Sequence, residues 1–351
     1  MSRQGGLSLT RRHPGLTLAL ALVLATVACV ASLGVGAVAI PLPEVVAALT
    51  GLGDGSQNSV IIEAVRLPRV LLATLAGGAL AACGVLMQAF FRNPLADPAL
   101  IGVATGGALG AVAVIVLGAT VLGGFTALAP DLALPLAAFM GSLVTTLAIY
   151  ALSRRDGTVD ATGMLLAGVA VNAICGAGIG LLTFLATDAQ LRNLTFWTLG
   201  SLSSAGWPQV VVVAVASALL VLVLPFLVRP LNALLLGDAE AHHLGVPVEA
   251  LKMGLVLLTS LAAGAVVATC GVVGFVGLIA PHVARLLVGP DHRVQLPLAA
   301  LLGALLMALA DALARTAVAP AELPLGVLTA LAGGPLFLWL LSRRRGAAFD
   351  A

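Results

Sequence analysis

Ten apolar runs, separated by short polar breaks, dominate the chain. They cover Leu16–Ile40, Pro68–Phe91, Ala99–Leu117, Leu134–Leu152, Gly163–Ala186, Gln209–Val228, Leu251–Val267, Val272–Val288, Val294–Ala314 and Leu325–Leu341. A helix that crosses the hydrocarbon core needs about 20 mostly apolar residues, and these runs qualify or nearly so. Val272–Val288 is the weakest, being short and interrupted by Pro281. The first run follows Arg3, Arg11 and Arg12. It is longer than the ~7–15-residue apolar core of a cleaved signal peptide, and many further spans follow, so it is expected to stay as a membrane helix. No polar break is long enough for a folded extramembrane domain. The predicted fold class is all-α, a polytopic membrane protein with about ten transmembrane helices, and residues 1–351 read as a single domain.

Composition supports the same solvent. Apolar residues make up 60% of the 351 and charged residues 9%, against about 25% charged in a soluble domain. The net charge of +2 says little by itself, but the placement of the cations is informative. With the N-terminus cytoplasmic, Arg3, Arg11, Arg12, Arg92, Arg154, Arg155, Arg229, Lys252, Arg285, Arg293, Arg343, Arg344 and Arg345 fall inside, thirteen of the seventeen. Arg66, Arg69, Arg192 and Arg315 fall outside. This asymmetry predicts a multi-pass protein with both termini cytoplasmic. Cys29, Cys83, Cys175 and Cys270 lie far apart in apolar runs and read as small buried hydrophobes. Gly102, Gly106 and Gly110 lie four apart, as do Gly176 and Gly180. That spacing lets helix backbones approach closely, with channel lining as the alternative.

Missing chemistry narrows the function. Lys252 is the only lysine and stands in Ala-Leu-Lys-Met-Gly. A P-loop needs Gly-Lys-Ser/Thr, so this chain does not hydrolyse ATP by that route. HExxH and GxSxG are absent, which argues against intramembrane hydrolysis. His242-His243 could bind a metal but lacks a partner cluster and reads as a solvated pair, so no metal or cofactor is expected. Ion-coupled carriers keep acids or histidines deep in the membrane. Here the acids sit mostly in loops or at helix ends. The exception is Asp311, four residues before Arg315, where an i,i+4 ion pair is expected.

Three stretches need more than generic membrane helix. One is Arg66-Leu-Pro-Arg69 leading through Gly77-Gly78 to Gln88-Ala-Phe-Phe-Arg-Asn-Pro-Leu-Ala-Asp-Pro98 and Leu100-Ile-Gly102. Another is Leu236-Gly-Asp-Ala-Glu-Ala-His-His-Leu-Gly245. The third is Gly274-Phe-Val-Gly-Leu-Ile-Ala-Pro-His-Val-Ala-Arg285, followed by Asp291-His-Arg293, Asp311, Arg315 and Glu322-Leu-Pro-Leu-Gly326. With Phe196-Trp-Thr-Leu-Gly-Ser201, they resemble the permease family of iron-siderophore, haem and cobalamin ABC importers (FecCD-type, type II), from about residue 60 to 342.

The resemblance implies a homodimeric permease of the bacterial inner membrane. Two ATP-binding cassette subunits would lie below it and a periplasmic substrate-binding protein above it; no nucleic acid is involved. It implies docking of the binding protein on Arg66, Arg69 and Arg315, whose planar forks suit carboxylates. It also implies an ATPase coupling loop at about 231–250, with close packing from Gly237, Ala241, Leu244 and Gly245 and polar contacts from Asp238 and Glu240. A cytoplasmic gate would be formed by Asn93, Leu95, Ala161 and Thr162; the wording around Thr162 departs from the family's usual one. The Asn93–Pro98 variant resembles haem and cobalamin permeases. Haem ranks first as cargo, ferric siderophore second and cobalamin third. A secondary transporter, a membrane scaffold or sensor and an intramembrane enzyme are the rivals from other classes.

Overall fold

A computed structural model describes residues 10, 13–36, 38–51, 53, 55–128, 130–155 and 157–349, without the side chains of residues 155 and 339–349. Arg3, Arg11 and Arg12, and the side chains of Arg155, Arg343, Arg344 and Arg345, therefore lie outside the description. Among the described residues, seven helices are long and apolar enough to cross a membrane: α1 (Pro14–Gly34), α3 (Gln57–Phe90), α5 (Ala133–Ser153), α6 (Ala161–Leu185), α8 (Trp207–Leu234), α10 (Val248–Cys270) and α12 (His292–Thr316). Three shorter apolar helices, α4 (Val103–Leu117), α11 (Val276–Val288) and α13 (Leu325–Phe349, apolar to Leu338), complete the ten runs of the sequence. The connections carry α2 (Leu42–Leu49), α7 (Asp188–Thr198) and α9 (Asp238–His243). The chain is a multi-pass helical membrane protein. The one small sheet among the described residues is an antiparallel pair, β1 (Arg154–Arg155) with β2 (Thr158–Val159), just before α6.

Helix α3 is the axis of the bundle, buried along almost all of its Leu67–Phe90 part. Glycines set how closely its neighbours approach. Gly77 faces Gly303 of α12, where a Cβ would overlap the Gly303 carbonyl, and Gly84 faces the Gly277 carbonyl of α11 in the same way. The Gly102, Gly106 and Gly110 row packs on α5: Gly106 meets Gly141 and Thr145, and Gly110 meets Ala137. That row is a packing device, as its spacing implies. Gly176 and Gly180 differ, because nothing in this chain lies within 4 Å of a Cβ placed on either. Both sit on α6, which leaves Val169, Ile174, Leu181 and Phe184 exposed.

One span starts late and another ends early, each for a physical reason. Helix α4 begins at Val103, not at Ala99, because Asp97 caps a 3-10 turn over Pro98–Ile101 and Gly102 adopts φ 83°. Its 15 residues rise only about 22 Å, short of the ~30 Å core. Residues 93–102 make up the difference in non-α form. Pro98 touches the position a Cβ on Gly277 would take, beside the Leu80 carbonyl. Leu80 lies ten residues before the end of α3, about 15 Å into the bundle. Such backbone is tolerated at this depth where protein surrounds it. Helix α1 ends at Gly34 rather than Ile40, with Val35 extended, and its last carbonyls are taken by side chains from other helices.

Candidate functional site

At the end of the bundle where α1 stops, Arg66, Arg69 and Arg315 do gather, but facing inward. Their exposures are 6%, 8% and 7%. Arg66 donates to the Leu33 carbonyl at 2.7 Å and to the Val38 carbonyl. Arg315 donates to the Val35 carbonyl at 2.9 Å, to the Ser32 carbonyl at 3.1 Å and to Ser32 Oγ at 2.7 Å. Four orphan carbonyls end every helix, and cations there also oppose the helix dipole. The two guanidiniums thus close α1. Arg69 places Nε 2.8 Å from Asp311 Oδ1 and grips both Glu322 oxygens at 2.8 Å. Asp311 is 1% exposed, and its Oδ2 lies 3.0 Å from Arg315 Nε, the i,i+4 pair expected from sequence. Sequence reasoning assigned these arginines to docking and expected a partner within the chain only for Arg315, through Asp311; in the structure each of the three is held by groups of this chain. Its signal for this was the Asp311–Arg315 spacing, which names only one of the contacts. Close by, Leu325 and Gly326 donate backbone N–H groups to the Gly200 and Leu199 carbonyls. The Phe196–Ser201 stretch contributes Phe196, Trp197 and Ser201 to a cavity of about 500 Å³ that Asn193 and Gln209 also line.

The opposite end carries the expected loop. Gly237 adopts φ 124°, which only glycine accommodates easily, and turns the chain from α8 into α9. Ala241 is fully buried, so it packs within this chain rather than against a partner. Leu244 is 64% exposed, and Gly245 (φ 83°) has open space around it. Glu240 is exposed and turned back to Gly237, and His242 and His243 are exposed. Asp238 is not a free polar contact, since its Oδ2 lies 2.7 Å from Lys252 Nζ.

The candidate gate residues sit on two separate segments, a turn at Asn93–Leu95 and the first turn of α6. Arg92 takes φ 48° at the end of α3. Asn93 Oδ1 then accepts the Leu95 N–H at 3.0 Å, so the Asn-Pro pair closes its own turn. Asp160 caps α6 through the Gly163 N–H at 3.0 Å, which starts the helix at Ala161 and leaves Thr162 exposed. Sequence reasoning missed Asp97. It borders a cavity of about 60 Å³ deep between α3, α10 and α11, placed there by the non-α passage of residues 93–102.

Asp291 caps α12. The Arg293 N–H and the Asn232 amide both donate to its carboxylate and hold its pKa below the usual range. With the folded pKa depressed, this stabilisation is present above the unfolded value of about 3.9 and fades as pH falls through the lower folded value. Asp291→Ala is expected to cost about 1 kcal/mol at pH 7, and less at pH 3, by thermal melting in detergent.

Known proteins match this architecture along most of its length. The model of the FecCD transport family matches residues 23–343. The hemin transport system permease protein HmuU of Yersinia pestis is 49% identical over 290 residues, 80% of this chain and 83% of that protein. The cobalamin import system permease protein BtuC of Halobacterium salinarum is 41% identical, covering 81% of this chain and 74% of its own length. The vitamin B12 import system permease protein BtuC of Salmonella typhi is 40% identical, at 82% and 85% coverage. Among solved structures, a metal-chelate type ABC transporter in an inward-facing conformation superposes with a TM-score of 0.79 at 31% identity, over 93% of this chain and 98% of that one. With the ten apolar helices and the two polar ends in place, the chain belongs to the FecCD transport family of ABC importer permeases.

Proposed function

We propose that this chain is the membrane-spanning subunit of an ATP-driven haem importer. The observation that carries the cargo is the 49% identity to a hemin permease, against 40–41% to cobalamin permeases. Cobalamin is the second reading, on the strength of those relatives. In this reading residues 1–351 form one permease domain, with both termini in the cytoplasm. Two copies pair through the open face of α6, and two ATPase subunits seat on the loop at about 231–250. The exposed Leu236, His242, His243 and Leu244 support that seat, because they flank a short helix without covering in this chain. A binding protein docks at the Arg66, Arg69 and Arg315 end. There an incoming carboxylate reaches Arg69 by displacing Glu322, whose side chain is 36% exposed while Asp311 is sealed. Asn93, Leu95, Ala161 and Thr162 form the cytoplasmic gate. The chain performs no covalent chemistry; it alternates access while its partners hydrolyse ATP.

The test is uptake into liposomes holding this chain with its ATPase partner, supplied with loaded binding protein and haem, a ferric siderophore or cobalamin in parallel. ATP-dependent accumulation of haem alone is the expected result. Accumulation of cobalamin alone overturns the cargo. Accumulation of none by an assembled complex overturns the importer.

A further inference from the structure

Asp238 joins segments that the transport reading leaves separate. Its Oδ2 lies 2.7 Å from Lys252 Nζ on α10, and its Oδ1 lies 4.0 Å from Arg92 Nε, one residue before the Asn93 turn. Lys252 continues the chain of contacts. Its side chain is 5% exposed, it donates to the Val159 carbonyl at 2.8 Å, and it lies 3.6 Å from Glu249 Oε1. The other Glu249 oxygen accepts the Val159 N–H at 2.9 Å. Both backbone polar groups of Val159 are therefore held by α10 side chains, two residues before α6 begins at Ala161.

The two arms differ in strength. The Arg92 arm is long, with side chains 52% and 41% exposed. Solvent and salt screen such a pair, so it couples its two segments weakly. The Lys252 arm is short and its ammonium is buried, so solvent and salt screen it far less. Displacement of α9 is thus passed far more firmly to the β1–β2 turn and α6 than to the Asn93 turn.

We propose that Lys252 is the positioning residue that ties α9 to the start of α6, so that movement of the loop opens and closes the Ala161–Thr162 side of the gate. This rests on reading α9 as the ATPase seat and those turns as the gate. Lys252 touches neither cargo nor nucleotide. Its effect is on the yield of transport per ATP, through Asp238 on one side and Val159 on the other.

The test uses the assembled complex in liposomes and measures haem uptake per ATP hydrolysed. Lys252→Met is expected to lower that ratio about tenfold, within the range of an ordinary inter-site coupling. Arg92→Ala is expected to change it less than about twofold, as for a screened surface pair. Asp238→Asn is the second variant, on a partly exposed side chain, should Lys252→Met fail to assemble. Where both variants assemble, the double variant is expected to be no worse than Lys252→Met alone, because both act through one contact. A wild-type ratio in Lys252→Met, in Asp238→Asn, or multiplied losses in the double variant, overturns the proposal. If the wild-type complex shows no ATP-dependent uptake, it is the importer reading that fails.

Discussion

Asp311→Ala is expected to destabilise the chain by about 3–5 kcal/mol, the usual cost of removing one side of a buried ion pair. Asp311 is 1% exposed and sits between Arg69 and Arg315. Without it Arg315 keeps only neutral partners, the carbonyls of α1 and Ser32 Oγ. Arg69 keeps Glu322, so the loss falls mainly on the α1–α12 contact. Thermal melting of the purified chain in detergent reads this directly, and Glu322→Ala provides the comparison. Because Glu322 is partly exposed, its removal is expected to cost well under half as much. Equal losses would mean that the network is not organised around the buried carboxylate.

The second large effect is steric. Gly84→Val is expected to prevent α3 and α11 from reaching their crossing, since even a Cβ overlaps the Gly277 carbonyl, which is backbone and cannot rotate away. Overpacking usually costs about 1–3 kcal/mol, and a backbone obstacle places this site at or beyond the upper end. The same substitution at Gly176 meets nothing within 4 Å in this chain. The isolated chain is therefore expected to tolerate Gly176→Val, with a melting temperature near wild type. If two copies pair through α6, size-exclusion chromatography with light scattering will show the Gly176→Val dimer weakened while its monomer remains folded.

Much of this organisation is legible in the residues. The ten apolar runs correspond to ten helices because lipid imposes one solution on each run, a helix that satisfies its own backbone. Boundaries moved where local chemistry overrode hydropathy: Asp97 and Gly102 delayed α4, and Gly34 ended α1 early. The Gly102, Gly106 and Gly110 row was readable from spacing alone, whereas Gly176 and Gly180 have the same spacing without a partner in this chain. The polar networks were less legible. Lys252 and Val159 are 93 positions apart, and Arg69 and Asp311 are 242 apart, so no window of sequence holds both members. A lone lysine among sixteen arginines was a signal in hindsight, since a compact ammonium fits a buried three-way contact that a guanidinium fork does not.

The closure of α1 also bears on how the protein is made. Arg66 follows Leu33 by 33 positions, whereas Arg315 follows Val35 by 280. At a translation rate of about 5–20 residues per second, the first donor arrives within about 2–7 s and the second only after about 15–55 s. The first span therefore enters the bilayer with its end partly uncovered and waits, held by Arg66, until the ninth is threaded in. A ribosome that stops before residue 315 leaves a product whose opening helix is fastened by Arg66 alone.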